Sequence, residues 1–273
     1  MTGSARIREA FRAAKEAGRP AFIAYVTAGY PSPAATPQIL RALAEGGADV
    51  IELGVPFSDP LADGATIQHA NEVALRHGVT IEDTFRMVEE LRSEGFATPI
   101  LLMGYYNPIL AFGEARAAAR AAEAGVDGFI VVDLPPEEAE GFLSECRRTG
   151  RSFVPLVAPT TSDERIGRIA AAADSFLYCV SVTGTTGARQ ELPPGLEEFL
   201  ARVRARTELP LAVGFGISRR EHVLALGRLA DGVVVGSAII AAIDAAPEAG
   251  AAAQVRRYVE ELTGRKGHEV SGP

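Results

Sequence analysis

The stretch "IELGVPFSDPLADG" (51–64) carries two carboxylates in unlike settings. Glu52 interrupts an apolar run with Ile51, Leu53 and Val55. Asp63 ends a turn-forming segment with Pro56, Ser58, Asp59, Pro60 and Gly64. A carboxylate among apolar side chains is costly unless it is paired or used. No Lys or Arg occurs between Arg41 and Arg76, so neither acid has a local cation. Such a pair suits acid–base chemistry: an apolar site raises one pKa, and a solvated loop keeps the other group ionised. The structural alternative is a Glu paired with a distant cation and an Asp that caps a turn. Asp59 and Asp63 alone are too few for a metal site, since hard cations take several oxygen ligands. His69, His77, His222 and His268 are scattered, and no metal is expected.

Glycines form a second constellation. "SVTGTTGARQ" (181–190) is a small, polar segment of the kind that forms lids. "VGFGIS" (213–218) and "VVGSAI" (234–239) each follow an apolar run. Gly214, Gly216 and Gly236 allow close backbone approach, and Ser218 and Ser237 are expected to start helices whose N–H groups face an anion. The alternative is ordinary tight turns. Apolar residues make a third group: Phe22, Leu102, Ile130, Tyr178 and Phe215, joined by Ile67 and Val234, would line a flat pocket. Taken singly, each reads as a core residue; together they suggest a site for an apolar or aromatic moiety.

These residues need a frame. Eight apolar runs read as strands: 21–27, 49–54, 99–103, 128–133, 152–158, 175–181, 210–215 and 232–237. They are rich in Val, Ile and Phe and mostly lack polar alternation, as in a parallel sheet covered on both faces. Helix-like segments alternate with them over 37–47, 81–95, 114–125, 136–150, 162–173, 195–207 and 219–230, with Ser162 and Ser218 as N-caps. Four segments echo one another, "EGGADVIELG", "AGVDGFIVVD", "AAADSFLYCV" and "RLADGVVVGS", and place Asp49, Asp127, Asp174 and Asp231 just before strands. The pattern predicts an α/β fold, a (β/α)8 barrel, with a doubly wound open sheet as the alternative. An extra helix over 4–17 and an Ala-rich helix over 248–263 would cover its bottom and side. The whole chain, 1–273, reads as one domain with a flexible tail at 264–273. In such a barrel chemistry sits at the C-terminal ends of the strands, which puts Glu52 and Asp63 on one face.

Composition narrows the partners. A net charge of −8 and a pI near 5.2 argue against nucleic acid or an anionic membrane. An anionic substrate must therefore be held by local backbone groups. Cys146 and Cys179 read as reduced core thiols. With no apolar run approaching a membrane span and no apolar signal core, a soluble, cytoplasmic protein is expected.

Seven motifs in order, "AYVTAGYP", "IELGVPFSDPLADGATIQ", "VVDLPPEEA", "LVAPTTSDERI", "YCVSVTGTTGAR", "VGFGIS" and "GSAI", resemble the tryptophan synthase α-subunit family over nearly the whole chain. The resemblance implies a (β/α)8 barrel that cleaves indole-3-glycerol phosphate to indole and glyceraldehyde 3-phosphate. It implies Glu52, Asp63 and Tyr178 as catalytic or active-site groups, Gly187, Gly216, Gly236 and Ser237 at the phosphate, and Thr186 on a lid reaching toward Asp63. It also implies a β-subunit partner in an α2β2 heterotetramer, met through Pro56, Asp59, Asn107 and Pro135. No cofactor is implied in this chain, since pyridoxal phosphate belongs to the β subunit. Two positions depart from the family pattern: Ala65 stands where Pro is common, and Tyr30 where many members have Asp. A free-standing lyase, a phosphosugar isomerase and a non-catalytic binding subunit are the rival readings.

Overall fold

The computed structural model describes residues 1–180, 194–214 and 216–265. Nine strands lie among them: β1 (Ala21–Thr27), β2 (Val50–Gly54), β3 (Ile100–Gly104), β4 (Gly128–Val131), β5 (Ser152–Phe153), β6 (Leu156–Val157), β7 (Leu177–Val180), β8 (Leu211–Gly214) and β9 (Gly232–Val235). All pairs are parallel, in the order β5-β4-β3-β2-β1-β9-β8-β7-β6. The two end strands are halves of one run, 152–157. Its first half pairs with β4 and its second with β7, while Val154 N–H bonds Phe129 C=O and Tyr178 N–H bonds Pro155 C=O. The sheet thus curls round and meets itself there, so the eight apolar runs correspond to eight barrel staves. The fifth is split at Val154–Pro155, and Pro155 has no N–H for the ladder.

The helices that bear on the site are α1 (Gly3–Glu16), α2 (Thr36–Glu45), α3 (Ala65–Arg76), α4 (Ile81–Ser93), α5 (Tyr106–Phe112), α6 (Glu114–Ala124), α7 (Glu140–Thr149), α8 (Asp163–Ala172), α9 (Leu196–Arg204), α10 (Arg220–Leu226), α11 (Ser237–Asp244) and α12 (Glu248–Thr263). Sequence patterning misses α3, which follows the loop after β2, and α5, which follows β3 almost directly. Ser162 caps α8 as expected, accepting from Arg165 N–H. Ser218 does not cap: α10 starts from Arg219 without a side-chain cap, and the Ser218 carbonyl instead accepts from Tyr258 Oη.

The strands are buried on both faces, and the faces separate cleanly. One cluster joins Phe22, Ala24, Ile51, Leu53, Leu102, Phe129 and Leu177 to the helices outside. The other fills the barrel with Ile23, Val50, Leu101, Ile130, Val154, Tyr178, Ala212 and Val234. Alternation along each strand produces this sorting. Ile7, Phe11 and Ala14 of α1 join the inner cluster and plug the barrel bottom; Phe11 meets Phe176 at a 5.1 Å ring separation.

The recurring aspartates have a common task at that bottom. Asp49 accepts from Phe22 N–H at 2.7 Å, Asp127 from Ile100 N–H at 2.8 Å, and Asp231 from Leu211 N–H at 2.9 Å. Each carboxylate precedes one strand and ties down the start of its neighbour. Asp174 does the same work through hydroxyls, accepting from Ser152 and Ser4. Arg19 and Arg265 pair with Asp49, Arg6 and Arg92 with Asp127, and Arg204 with Asp231.

Candidate active site

Parity along β2 decides which side chains enter the barrel. Glu52 shares a face with Val50 and pairs in register with Tyr25 on β1 and Leu101 on β3. It therefore points inward at the C-terminal half of the barrel. It is 0% exposed, and neither carboxylate oxygen has a hydrogen-bond partner. Burial alone pushes its pKa from 4.5 up to about 8. At neutral pH this carboxyl is protonated.

Asp63 lies on the loop leaving β2. Asn71 Nδ2 of α3 donates to its Oδ2 at 3.2 Å, and the Tyr105 hydroxyl is a near neighbour that favours its charged form. The solvated surroundings expected from the sequence are not what Asp63 meets. The group is half-buried, and burial lifts its pKa to about 6 against the pull of Tyr105 and Asn71. It is still mostly ionised at neutral pH, so the two carboxyls differ in state, though by less than a solvated Asp63 would give.

Two tyrosines stand beside them. Tyr25 and Tyr178 are buried inside the barrel, and burial with the nearby charges of Glu52 and Asp63 holds both phenols above their ordinary range. Glycines make the room. A Cβ on Gly54 would lie 2.3 Å from Tyr25 Oη, and one on Gly214 would lie 2.6 Å from Tyr178 Oη. Tyr25 Oη and Thr27 Oγ1 are 3.2 Å apart.

The apolar residues expected at the pocket divide. Ile130 and Val234 belong to the inner cluster together with Tyr178. Phe22 and Leu102 do not: both face the outer helices. Their neighbours of opposite parity, Tyr25 and Met103, face inward instead, with Leu156 from β6. Ile67 is half-buried in the first turn of α3. Phe215, Thr186 and Gly187 lie outside the described residues, as does the 181–190 segment.

Two staves from β2, beyond β1, Gly236 caps α11 and Ser237 opens it. The first-turn N–H groups of a helix have no partner within it. A Cβ on Gly236 would lie 3.4 Å from the Tyr25 ring, so this helix start adjoins the same pocket. Gly216 takes a φ of +27°, which favours glycine. Of the expected partner contacts, Asp59 on the loop after β2 is exposed, Asn107 in the first turn of α5 is exposed, and Pro135 on the loop after β4 is half-buried. Pro56 is buried, and the exposed tip of its loop is instead Leu61, 93% exposed. The two departures are accommodated. Ala65 is the first residue of α3, where Pro is equally at home. Tyr30 donates to Asp244 of α11 and meets the His69 ring of α3 edge-on.

Sequence reasoning missed Tyr25, Met103, Asn71 and Tyr105. The first two were recoverable by counting parity from Glu52. Among the described residues no group of three or more His, Cys, Asp or Glu is placed to hold a metal, and no helix is long and apolar enough to cross a membrane.

Comparison with known proteins agrees with this geometry. Residues 11–268 match the family model described as tryptophan synthase alpha chain. The tryptophan synthase alpha chain of Roseiflexus sp. (strain RS-1) is 51% identical over 259 residues, covering 95% of this chain and 99% of that protein. The tryptophan synthase of Saccharomyces cerevisiae is 48% identical over 268 residues; they make up 98% of this chain but only 38% of the yeast protein. Among solved structures, a Mycobacterium tuberculosis tryptophan synthase chain superposes with a TM-score of 0.88 at 36% identity, covering 95% of this chain and 97% of that one. A chain of the Pyrococcus furiosus tryptophan synthase complex gives 0.83 at 42% identity, over 90% and 99%. A closed parallel barrel of matching length, with a buried acid at the end of its second strand, belongs with these relatives: the chain is a member of the tryptophan synthase alpha chain family.

Proposed function

We propose that this chain is a carbon–carbon lyase of tryptophan biosynthesis, cleaving indole-3-glycerol phosphate to indole and glyceraldehyde 3-phosphate, with Glu52 and Asp63 as its catalytic carboxyls. The observation that carries the residue roles is Glu52: buried, without a partner, and protonated at neutral pH. Breaking the bond between indole C3 and the glycerol carbon requires C3 to be protonated first. Glu52 gives its proton to C3, forming a cationic indolenine. The resulting carboxylate then takes the proton of the adjacent glycerol hydroxyl. The C–C bond breaks, its electrons return to the ring, and the carbon bearing the oxygen leaves as the aldehyde. Glu52 ends protonated, as it began, so the cycle balances without an outside proton. Asp63, mostly ionised, stabilises the positive charge that develops at the ring N–H.

Tyr178, Ile130 and Val234 hold the indole, aided by Tyr25 and Met103 from the same inner face and by Ile67. Gly216, Gly236 and Ser237 offer backbone N–H groups to the phosphate, in keeping with a chain whose net charge is −8. Thr186 and Gly187 belong to a lid and phosphate contact in this reading. The reaction needs no cofactor in this chain; pyridoxal phosphate sits in the β subunit that consumes the indole. That partner docks on the rim formed by the loops after β2, β3 and β4, near Asp59, Asn107 and Pro135, in an α2β2 assembly.

The test is indole release from indole-3-glycerol phosphate by purified Glu52→Gln and Asp63→Asn. Each loses roughly 10²–10⁴-fold in kcat with folding intact. Near-normal turnover by Glu52→Gln would overturn the assignment.

A further inference from the structure

The loop from Val55 to Gly64 carries a catalytic carboxylate, yet it is made of turn-forming residues that pack little by themselves. One side chain outside the loop holds both of its ends. The Tyr105 ring stacks on Phe57 near the start, with centroids 5.1 Å apart and planes inclined by 29°. Its hydroxyl accepts from Ala62 N–H, the residue before Asp63, at 2.9 Å near the finish, and lies near enough to the Asp63 carboxyl to favour its charged form. Tyr105 is anchored in turn. It is the residue from which α5 starts, and the next N–H, that of Tyr106, donates to Asp133 on the loop after β4 at 2.7 Å. The ring also lines a small apolar cavity with Val55, Leu102, Ile109 and Phe129.

From this geometry we infer that Tyr105 is a positioning residue for Asp63, holding its carboxylate oriented and ionised while fixing the loop that bears it. The inference rests on the catalytic role given to Asp63 above. A phenol that donates to a carboxylate favours the charged form of that carboxylate. Tyr105 remains a donor across the working range, since burial and the neighbouring Asp63 charge push its own pKa up. Asn71 from α3 donates to Asp63. Tyr25 from β1, Glu52 from β2 and Tyr178 from β7 share its electrostatic surroundings, and Asp133 acts on Tyr105 itself. Among the described residues no cation acts on Asp63, so there the neutral groups of Tyr105 and Asn71 carry the task.

Tyr105→Phe keeps the ring, the stack and the volume and removes only the hydroxyl. Hydrogen bonds to charged groups correspond to roughly a tenfold to hundredfold effect. The expected result is a kcat for indole release lower by about that factor, little change in KM, and an acid limb of the kcat–pH profile moved to higher pH. The second readout is direct titration of the Asp63 carboxyl carbon by NMR in labelled protein, where its midpoint rises in the variant; it needs no turnover. A Tyr105→Phe protein with the wild-type midpoint and acid limb overturns the inference. Asp63→Asn run in parallel separates the two claims. If it is fully active, the catalytic role of Asp63 fails; if it is inactive while Tyr105→Phe behaves as wild type, only the positioning role fails.

Discussion

Glu52→Gln should make the protein more stable as it makes it inactive, and by an amount that depends on pH. In the unfolded chain Glu52 titrates near 4.5; folded, it is pushed up to about 8 because its carboxylate is buried without a partner. Below pH 4.5 both states hold the proton and the residue is neutral to stability. Between pH 4.5 and 8 the unfolded chain loses the proton while the folded one keeps it, so the native state is progressively disfavoured. Above pH 8 both are ionised and the penalty levels off. With about 1.36 kcal/mol for each pKa unit, the cost is about 1 kcal/mol at pH 5, about 3 at pH 7 and about 4 at pH 8. Gln has nearly the same shape and carries no charge, so the variant escapes that cost. Any fixed difference between amide and acid cancels when two pH values are compared. At this chain length roughly 2 °C of Tm accompanies each kcal/mol, so Glu52→Gln should melt about 6 °C further above wild type at pH 8 than it does at pH 5. Scanning calorimetry of both proteins at the two pH values reads this directly. An equal Tm increment at pH 5 and pH 8 would show that Glu52 is not held protonated, and the proton donor of the mechanism would be lost with it.

Two further predictions concern the frame. Asp127→Ala leaves Arg92 without its 2.8 Å partner and Ile100 N–H without its acceptor; removing one member of a buried pair costs about 3–5 kcal/mol, and a urea midpoint within error of wild type would dismiss the clamp. Gly54→Ala drives a methyl to 2.3 Å from Tyr25 Oη, an overpacking worth about 1–3 kcal/mol; adding Tyr25→Phe should recover part of the loss, and a strictly additive double mutant would mean the two side chains do not meet.

The sequence made some of this legible for physical reasons. Glu52 and Asp63 stood out because a carboxylate beside Leu53 and Val55, with no local cation, has few structural excuses. The barrel followed from apolar runs and helices in strict alternation. Pocket membership was harder, because β1 and β3 are apolar on both faces and offer no polar mark of which side is inside. Phe22 and Leu102 were therefore placed one residue out of phase, while Glu52 was the reference that parity required: its register partner on β1 is Tyr25. Asn71 and Tyr105 were not legible, since their tie to Asp63 exists only once α3 and the turn after β3 have folded against the loop. The expectation of a solvated Asp63 failed for the same reason, those two side chains and their elements being what buries it.

The bottom aspartates also divide the barrel in a way its continuous ladder hides. Asp49 joins β1 to β2, Asp127 joins β3 to β4, Asp174 joins the split stave to β7, and Asp231 joins β8 to β9. At the start of β3, Ile51 N–H meets only the carbonyl of Pro99, and at the start of β8, Leu177 N–H meets only that of Pro210. Every second junction thus carries a carboxylate stitch from strand to strand, and the ones between carry none. The molecule has seams: it is four two-stave quarters sewn side by side. Opening the chain at Gly78, between the second and third staves, leaves every stitch within one fragment, whereas opening it at Gly113 parts Ile100 from Asp127. Fragment reassembly and circular permutation should follow those seams, and so should any record of duplication that this barrel retains.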